Sequence, residues 1–288
     1  MIKIVTDSTS YIPSEDRARY DIHIASLGIV LNGETHREVD LTNEAFYEAM
    51  AKCDEIPSSS QPSPAELYDI FEKLIQAGHS VLGIFISSEM SGTYSTAQFT
   101  AKSLLEKYPD AKIKILDSRT NCMQLGFTCL AAAQAAAEGA SFDEVVQKAE
   151  YIIEHSRFVF TPDTLAYLKK GGRIGNASAL LGTLLQIKPI LTVKDGKTDV
   201  VTKVRSKKKA IDTLIDCLMS DLKTASLGDV IVHHINCPDE GLALAKKLEE
   251  QLDHPVRIQP IGPVIGVHVG PGSIGIAYYT LPKNANMK

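Results

Sequence analysis

An α/β fold in two units is what this 288-residue chain predicts, and three observations carry it. Short apolar runs alternate with amphipathic stretches through the first half, at the short spacings of a mostly parallel sheet covered on both faces. Composition changes near residue 157, and hairpin signals follow, of which Asp195-Gly196 is the strongest. A hydrophobic content of 44% is enough for a substantial core. The expected units are residues 1–156, with the mostly parallel sheet, and 157–282, with a mixed, partly antiparallel one. The last residues, 283–288, are expected to fray.

The chain opens with a buried strand, Ile2 to Thr6, ending in the polar loop Asp7-Ser8-Thr9-Ser10. Ile22 to Val30 reads as a second strand, and Asn32-Gly33 as a hairpin-like return. Thr42 is a cap for a helix whose inner side carries Phe46, Tyr47 and Met50. Ser58 to Pro64 reads as a hydroxyl-rich loop, with Ser63 and Pro64 as the cap and first turn of the next helix. Ser80 to Ile86 is a strand and Tyr94 to Tyr108 a helix, with Ala97, Ala101, Leu104 and Leu105 at helical spacing. Ile113 to Leu116, then helices Gly126 to Glu138 and Phe142 to Ser156, complete the first unit.

Arg157 to Phe160 enters the second unit as a strand. A helical stretch Leu165 to Lys169, a loop to Gly175 and an apolar helix Ala177 to Leu185 follow. Ile190 to Val193 and Val200 to Val204 flank the Asp195-Gly196 turn. Lys207 to Met219 and Asp239 to Leu252 read as helices; Asp229 to His234, Val256 to Ile261 and Ile274 to Tyr279 read as strands.

Charge excludes little but is informative. Thirty basic and 35 acidic residues are well mixed at a formal net charge of -5, which gives no long-range pull toward nucleic acid. The basic cluster Lys203, Arg205, Lys207, Lys208 and Lys209 reads as a solvated helix start, and no tryptophan offers a stacking platform. Five scattered cysteines without a CxxC pair, and an opening MIKIVTDS without a leader pattern, lead to the expectation of a cytoplasmic protein. The apolar stretches are interrupted by Gln, Lys or Pro, so no membrane span is expected.

The stretch Ile84 to Tyr94 carries the chemistry. An apolar strand breaks into Ser87-Ser88-Glu89-Met90-Ser91-Gly92-Thr93 and a helix follows, which sets hydroxyls and backbone N–H groups where an anion can sit. Ser91 is equally readable as an ordinary helix cap, worth about 1 kcal/mol. No nucleotide fingerprint, nucleophile elbow or metal-ligand spacing occurs, and Gly171-Gly172-Arg173-Ile174-Gly175 reads as a tight turn. His233 and His234 are adjacent on a strand, so one is expected in the core and one at the surface. His268 sits in the glycine-rich run Ile261 to Gly272, read as a loop, either facing a ligand or satisfying loop carbonyls.

Seven motifs in order give a specific resemblance over essentially the whole chain. They are Ile4-Val5-Thr6-Asp7-Ser8, Ser59-Ser60-Gln61-Pro62-Ser63, and Ile86-Ser87-Ser88 through Ser91-Gly92-Thr93-Tyr94. Lys170-Gly171-Gly172-Arg173-Ile174, Lys188-Pro189-Ile190, Arg205-Ser206-Lys207-Lys208-Lys209-Ala210, and Gly262-Pro263-Val264-Ile265-Gly266-Val267-His268-Val269-Gly270-Pro271-Gly272 complete the set. The chain resembles the DegV family of bacterial lipid carriers.

The resemblance implies a two-domain DegV-like fold with a long-chain fatty acid, such as palmitate, stearate or oleate, bound between the domains, and no cofactor. Ser91 is the first choice for the carboxylate ligand, with Ser59, Ser60, Gly92 and Thr93 beside it and Gly266 and His268 approaching from the second domain. Ser59 stands where the family commonly has Thr, and Lys208 where many members have Arg. The resemblance also implies a non-catalytic carrier that presents its carboxylate to a separate ATP-dependent fatty acid kinase, whose acyl phosphate feeds phospholipid synthesis. Arg173 and Arg205 would then lie at the pocket mouth or face the kinase. A monomer is expected, with transient membrane contact and no nucleic-acid partner. Candidate walls for the acyl chain are Phe85, Ile86, Leu125, Phe127, Phe160, Leu165, Leu180, Leu184, Ile190, Ile265 and Ile276, any of which also reads as plain core. The rival readings are an enzyme acting on a small phosphorylated or carboxylated metabolite, and a protein-interaction module with a vestigial pocket.

Overall fold

The computed structural model describes residues 1–182 and 187–283. Four parallel strands form the first sheet, in the order β2-β1-β6-β7: β1 (Ile2–Asp7), β2 (His23–Ala25), β6 (Ser80–Phe85) and β7 (Ile113–Asp117). Helix α1 (Ser14–Arg19) joins the first two strands. Helices α3 (Pro64–Gln76) and α4 (Thr93–Lys107) cover one face, where Val5, Leu67, Phe71, Phe85 and Leu104 form a core of their own.

A six-stranded sheet takes the order β10-β9-β8-β13-β11-β12. Its members are β8 (Ser156–Thr161), β9 (Lys188–Lys194), β10 (Lys197–Val204), β11 (Ala225–His234), β12 (Arg257–Pro260) and β13 (Ile274–Pro282). All its pairings are antiparallel except β11 with β12, as the hairpin signals of the second half lead one to expect. Helices α8 (Lys207–Asp221) and α9 (Pro238–Leu252) close its outer face over Leu214, Leu218, Leu244 and Leu248.

Helix α5 (Cys122–Ala137) lies between the two sheets, touching β1 and β6 on one side and β8 and β13 on the other. Its alanine-rich sequence is apolar on nearly every side because it has no solvent face at its start; Cys122 to Cys129 are all buried. Helix α6 (Phe142–His155) packs against α5 and is closed by a capping box between Ser141 and Glu144.

Several local expectations are corrected. The segment Ile22 to Val30 is two strands, because β3 (Gly28–Leu31) leaves the parallel sheet to pair with β4 (Glu34–Arg37). Asn32 and Gly33 make the expected hairpin turn, both at positive φ. After α2 (Asn43–Ala51), Ser58 to Ser60 is not loop but β5 (Ser58–Ser60), adding to β3 in a third, antiparallel sheet. Thr42 caps α2 as expected, whereas Ser63 makes no side-chain cap on α3. After α7 (Ala166–Lys170), the expected helix from Ala177 is a 3-10 turn, Gly175–Leu180, and residues 183–186 lie outside the described residues. The glycine-rich run is helical, α10 (Pro263–Val269): Pro263 sits in its first turn and Gly270 ends it at φ 90°. His234 is buried along with His233, because α9 covers the face it points to.

Candidate functional site

The turn after β6 is fixed from two sides. The N–H of Ile86 donates to Asp7 Oδ2 at 2.7 Å, and Asp7 Oδ1 accepts from the N–H of Thr9 at 3.0 Å. Burial raises the Asp7 carboxyl to about 6 against those hydrogen bonds, so it is ionised at neutral pH and grips the strand end. From the opposite side, Ser87 Oγ donates to the carbonyl of Gly196, in the β9–β10 hairpin, at 2.7 Å. The N–H groups of Met90 and Ser91 both return to Ser87 O, at 2.9 and 3.1 Å. Ser91 Oγ then stands 2.8 Å from Thr93 Oγ1 and accepts from the Thr93 N–H at 3.3 Å. Gly92, not Ser91, takes the cap position of α4; the Ser91 hydroxyl holds the first helical N–H from one residue before it and lies on the edge of a cavity.

Helix α10 brings up the other side. A buried carboxylate, Glu38, receives the Val264 N–H at 2.8 Å, Tyr11 Oη at 2.9 Å and the Ser8 hydroxyl. The Ile265 N–H donates to Tyr11 Oη at 3.2 Å, and Tyr47 Oη donates to Ile261 O at 3.2 Å. Burial pushes Glu38 up to about 7 in spite of its donors. The network pins the start of α10 and so aims the residue one turn on. His268 Nε2 lies 2.7 Å from Ser59 Oγ.

Burial first, and the positive charge of Arg173 second, pull His268 down to about 4, so its ring is neutral at pH 7. Its Nδ1 is buried without a partner beside Gly171, where a side chain would collide with the ring. The hydrogen-bond balance assigns the proton to Nε2: the alternative leaves an unpaired N–H buried at Nδ1, whereas this one leaves only a bare acceptor. Nε2–H then donates to Ser59 Oγ, and the Ser59 hydroxyl proton is free for a ligand.

These groups surround a cavity of about 190 Å³, against the roughly 10–15 Å³ one water takes on the same measure. Its outer end is made by Ser59, Ser60, Gln61, Ser91, Gly92 and Arg173, of which Ser60, Gln61, Gly92 and Arg173 are exposed. Inward the walls are buried and apolar: Ile86, Phe158, Phe160, Ile235, Ile261, Val264, Ile265 and Ile274. Phe158 and Phe160 stack at 5.0 Å on the inner face of β8, while Val159 between them points to the second core.

The structure brings Ser59, Ser60, Ser91, Gly92, His268 and Arg173 to this cavity, along with Ile86, Phe160 and Ile265. Thr93 is fully buried and reaches the cavity only through Ser91. Gly266 does not border it, since the Tyr47 ring fills the space beside its Cα. Arg205 is exposed after β10 and stands apart, whereas Arg173 is tied to the rim by Nε to Met90 O at 3.0 Å and Nη1 to Gly171 O at 2.7 Å.

Strand alternation removes three expected walls. Phe85 belongs to the core under α3 and α4, and Ile190 and Ile276 to the core under α8 and α9. Leu125 and Phe127 are buried in the main core, Phe127 with its ring 5.3 Å from that of Tyr279. Leu165, at the cap of α7, gives way to Leu168 three residues on, and Leu180 is not among the described residues bordering the cavity. Leu184 lies outside the described residues. Sequence reading missed Phe158, legible from its alternation with Phe160, and Val264, legible at helical spacing from His268, while Val269 follows His268 directly and shares no such spacing. Asn121, Val193 and Thr198 carried no local signal and come to the cavity through tertiary packing.

Fold and site together define a class: an α/β protein whose interior cavity is apolar at depth and hydroxyl-lined at its opening. No His, Cys, Asp or Glu cluster among the described residues is arranged to hold a metal, and no described helix is long and apolar enough to cross a membrane. The chain belongs to the DegV family, described as uncharacterised proteins, which it matches over residues 1–281. It is 51% identical over 283 residues to a DegV domain-containing protein of Clostridium acetobutylicum, covering 97% of this chain and 98% of that one. It is similar to the crystal structure of DegV of Bacillus subtilis, described as a fatty acid binding protein, at 34% identity and TM-score 0.88, over 97% of this chain and 99% of that one. A stearic acid-binding protein of Eubacterium ventriosum is similar at 28% identity and TM-score 0.89, over 97% and 98%.

Proposed function

We propose that this protein binds one long-chain fatty acid such as palmitate, stearate or oleate in the cavity, with the carboxylate at the hydroxyl-lined opening. The polarity gradient carries the reading: exposed polar groups at one end, buried aliphatic and aromatic walls behind. A carboxylate meeting the Ser91 and Ser59 hydroxyls is paired rather than stranded. Each methylene moved from water into the walls contributes about 0.8 kcal/mol, so the tail supplies most of the affinity. The named similarity to fatty acid-binding proteins of B. subtilis and E. ventriosum supports the same ligand class. Residues 1–156 and 157–282 are taken as the two bodies between which the acid lies.

The role is presentation, not catalysis. Ser59 and His268 form a hydroxyl–imidazole pair, but a working base needs its second nitrogen held by a further group, and His268 Nδ1 has no partner. Ser91 pairs with Thr93 rather than with a base. The protein is accordingly a cytoplasmic, monomeric carrier that collects its acid in transient contact with a membrane and offers the carboxylate to a separate ATP-dependent kinase. Arg173, on the rim, stands where it offsets negative charge on the product.

Mass spectrometry of an organic extract of protein purified from a bacterial host tests the ligand, with titration of added oleate alongside. Co-purified fatty acid at near one per chain is expected. No extracted lipid together with no uptake of oleate overturns the proposal. Turnover of a small phosphorylated metabolite without a partner kinase overturns the carrier role.

A further inference from the structure

The β9–β10 hairpin reaches from the second half of the chain onto the Ser91 turn. Its tip, Asp195 and Gly196, takes positive φ angles of 50° and 82°, as a two-residue type I′ turn requires. Gly196 is hemmed in by the first half: a Cβ there would stand 2.6 Å from Ser87 Oγ, 3.1 Å from Glu89 Cγ and 3.2 Å from Arg119 Cζ. Arg119 Nη2 donates to Asp195 O, Ser87 Oγ to Gly196 O at 2.7 Å, and Lys197 Nζ lies 3.0 Å from Glu89 Oε2. Three consecutive residues of the tip are thus held.

Two residues past Gly196, the Thr198 hydroxyl donates to the carbonyl of Arg173 at 2.7 Å. Arg173 Nε donates to Met90 O at 3.0 Å, and the N–H groups of Met90 and Ser91 return to Ser87 O. These bonds close a ring: from Ser87 to the hairpin tip, along the strand to Thr198, through Arg173 and back to the turn that carries Ser91. Its two hydroxyl junctions are buried, Ser87 at 0% and Thr198 at 3% exposure, where an unmade hydrogen bond costs most. Arg173 is exposed, and an untethered arginine at a surface samples many rotamers. Here Met90 O and Gly171 O hold Nε and Nη1, which leaves Nη2 without a partner among the described residues. The ring thus fixes a cation on the rim of the cavity without neutralising it.

We infer that Ser87 and Thr198 are positioning residues for the ligand carboxylate: the ring they close sets the Arg173 cation against the Ser91 hydroxyl before a ligand arrives. The inference rests on the fatty-acid reading above and adds to it the elements that preorganise the charged end. Ser87 acts through the turn, and the Thr198 hydroxyl, already given to Arg173 O, acts through the arginine backbone. Because the ring is closed, a cut at one junction frees the other, and a second cut adds little.

Competition of palmitate and hexadecanol against a fluorescent fatty acid tests it, on the wild type, Ser87→Ala, Thr198→Val, Thr198→Ser and the double variant Ser87→Ala/Thr198→Val. The ratio of palmitate to hexadecanol affinity is expected to fall about fivefold in Ser87→Ala and in Thr198→Val. Thr198→Ser, which keeps the hydroxyl, is expected to restore it, and the double variant to lose no more than the worse single one. If Thr198→Val does not fold, Ser87→Ala carries the test, since it removes one oxygen from a residue that does not border the cavity. A ratio unchanged in either folded single variant overturns the inference, because the hydroxyl then serves packing alone. A double variant whose loss is the product of the single losses overturns it too, since the junctions are then independent. Wild-type protein that takes up neither ligand sinks the fatty-acid reading, and this inference with it; tight palmitate binding with an unmoved ratio sinks this inference alone.

Discussion

The polar opening and the apolar depth of the cavity are built by different rules. The depth is a product of strand alternation: Phe158 and Phe160 face inward on β8 because Val159 faces outward, and Ile86 faces inward because Phe85 does not. The opening is assembled from segments far apart in the chain, each held by specific hydrogen bonds. Asp7 positions the Ser91 turn through Ile86, and Glu38 positions His268 through the start of α10. A residue of the wall is thus replaceable by volume and register. A residue of the opening works only with its partners.

The largest effects come from buried aromatic side chains, one in the wall and one in the core beside it. Phe85→Ala and Phe160→Ala are each expected to cost about 3–5 kcal/mol in urea unfolding, since each leaves a hole in a packed core. Only Phe160→Ala is expected to weaken palmitate binding, because Phe85 faces α3 and α4. Equal losses of affinity in the two variants erase the distinction between wall and core.

Glu38 tests the opening through pH. His233 and His268 are both held near 4 by burial, so the unfolded chain takes up protons that the folded one refuses, and stability from these groups rises with pH between about 4 and 6.5. Asp7 and Glu38 act in the opposite sense: burial raises them to about 6 and about 7, so their contribution is largest at low pH and is lost as pH rises through those values. His23 and His234, also held below their ordinary value by burial, add to that rise. Glu38→Gln removes one opposing group and is expected to steepen the rise of stability with pH by about 1.4 kcal/mol per pH unit relative to the wild type between pH 4.5 and 6. Urea melts across the range read it, and a variant whose slope matches that of the wild type breaks the assignment.

Ser91→Ala should have the smallest effect on stability, about 1 kcal/mol for the lost hydrogen bonds to Thr93, with a several-fold loss of affinity for palmitate. The corresponding fatty alcohol, which carries no carboxylate, should bind both proteins alike. Equal losses for acid and alcohol show that the serine shapes the cavity without meeting the charge.

The residues near Ser91 show how far local pattern reaches. An apolar strand, a hydroxyl-rich turn and a helix are all visible in Ile84 to Tyr94, and the structure arranges them in that order. The β8 wall was half legible, since Phe160 implies Phe158 by period two. The same rule separates the consecutive residues Phe85 and Ile86, which face opposite sides. His268 is visible as a histidine among glycines, but Gly262, Gly266, Gly270 and Gly272 give its segment the pattern of a loop and mask a seven-residue helix. Burial supplies what propensity withholds: Val264, Ile265, Val267 and Val269 pack into the main core, and Glu38 takes the Val264 N–H.

The alternation of strands and helices, the switch to a mixed sheet in the second half and the hydroxyls of the Ser91 turn are written locally, because each follows from spacing within a few residues. That Ser59 meets His268 across 209 positions, that α5 is sealed between two sheets, and that Asn121 borders the cavity without capping its helix are set by long-range packing. Those outcomes depend on which distant backbone groups find partners and which faces are left dry. No local pattern encodes that balance.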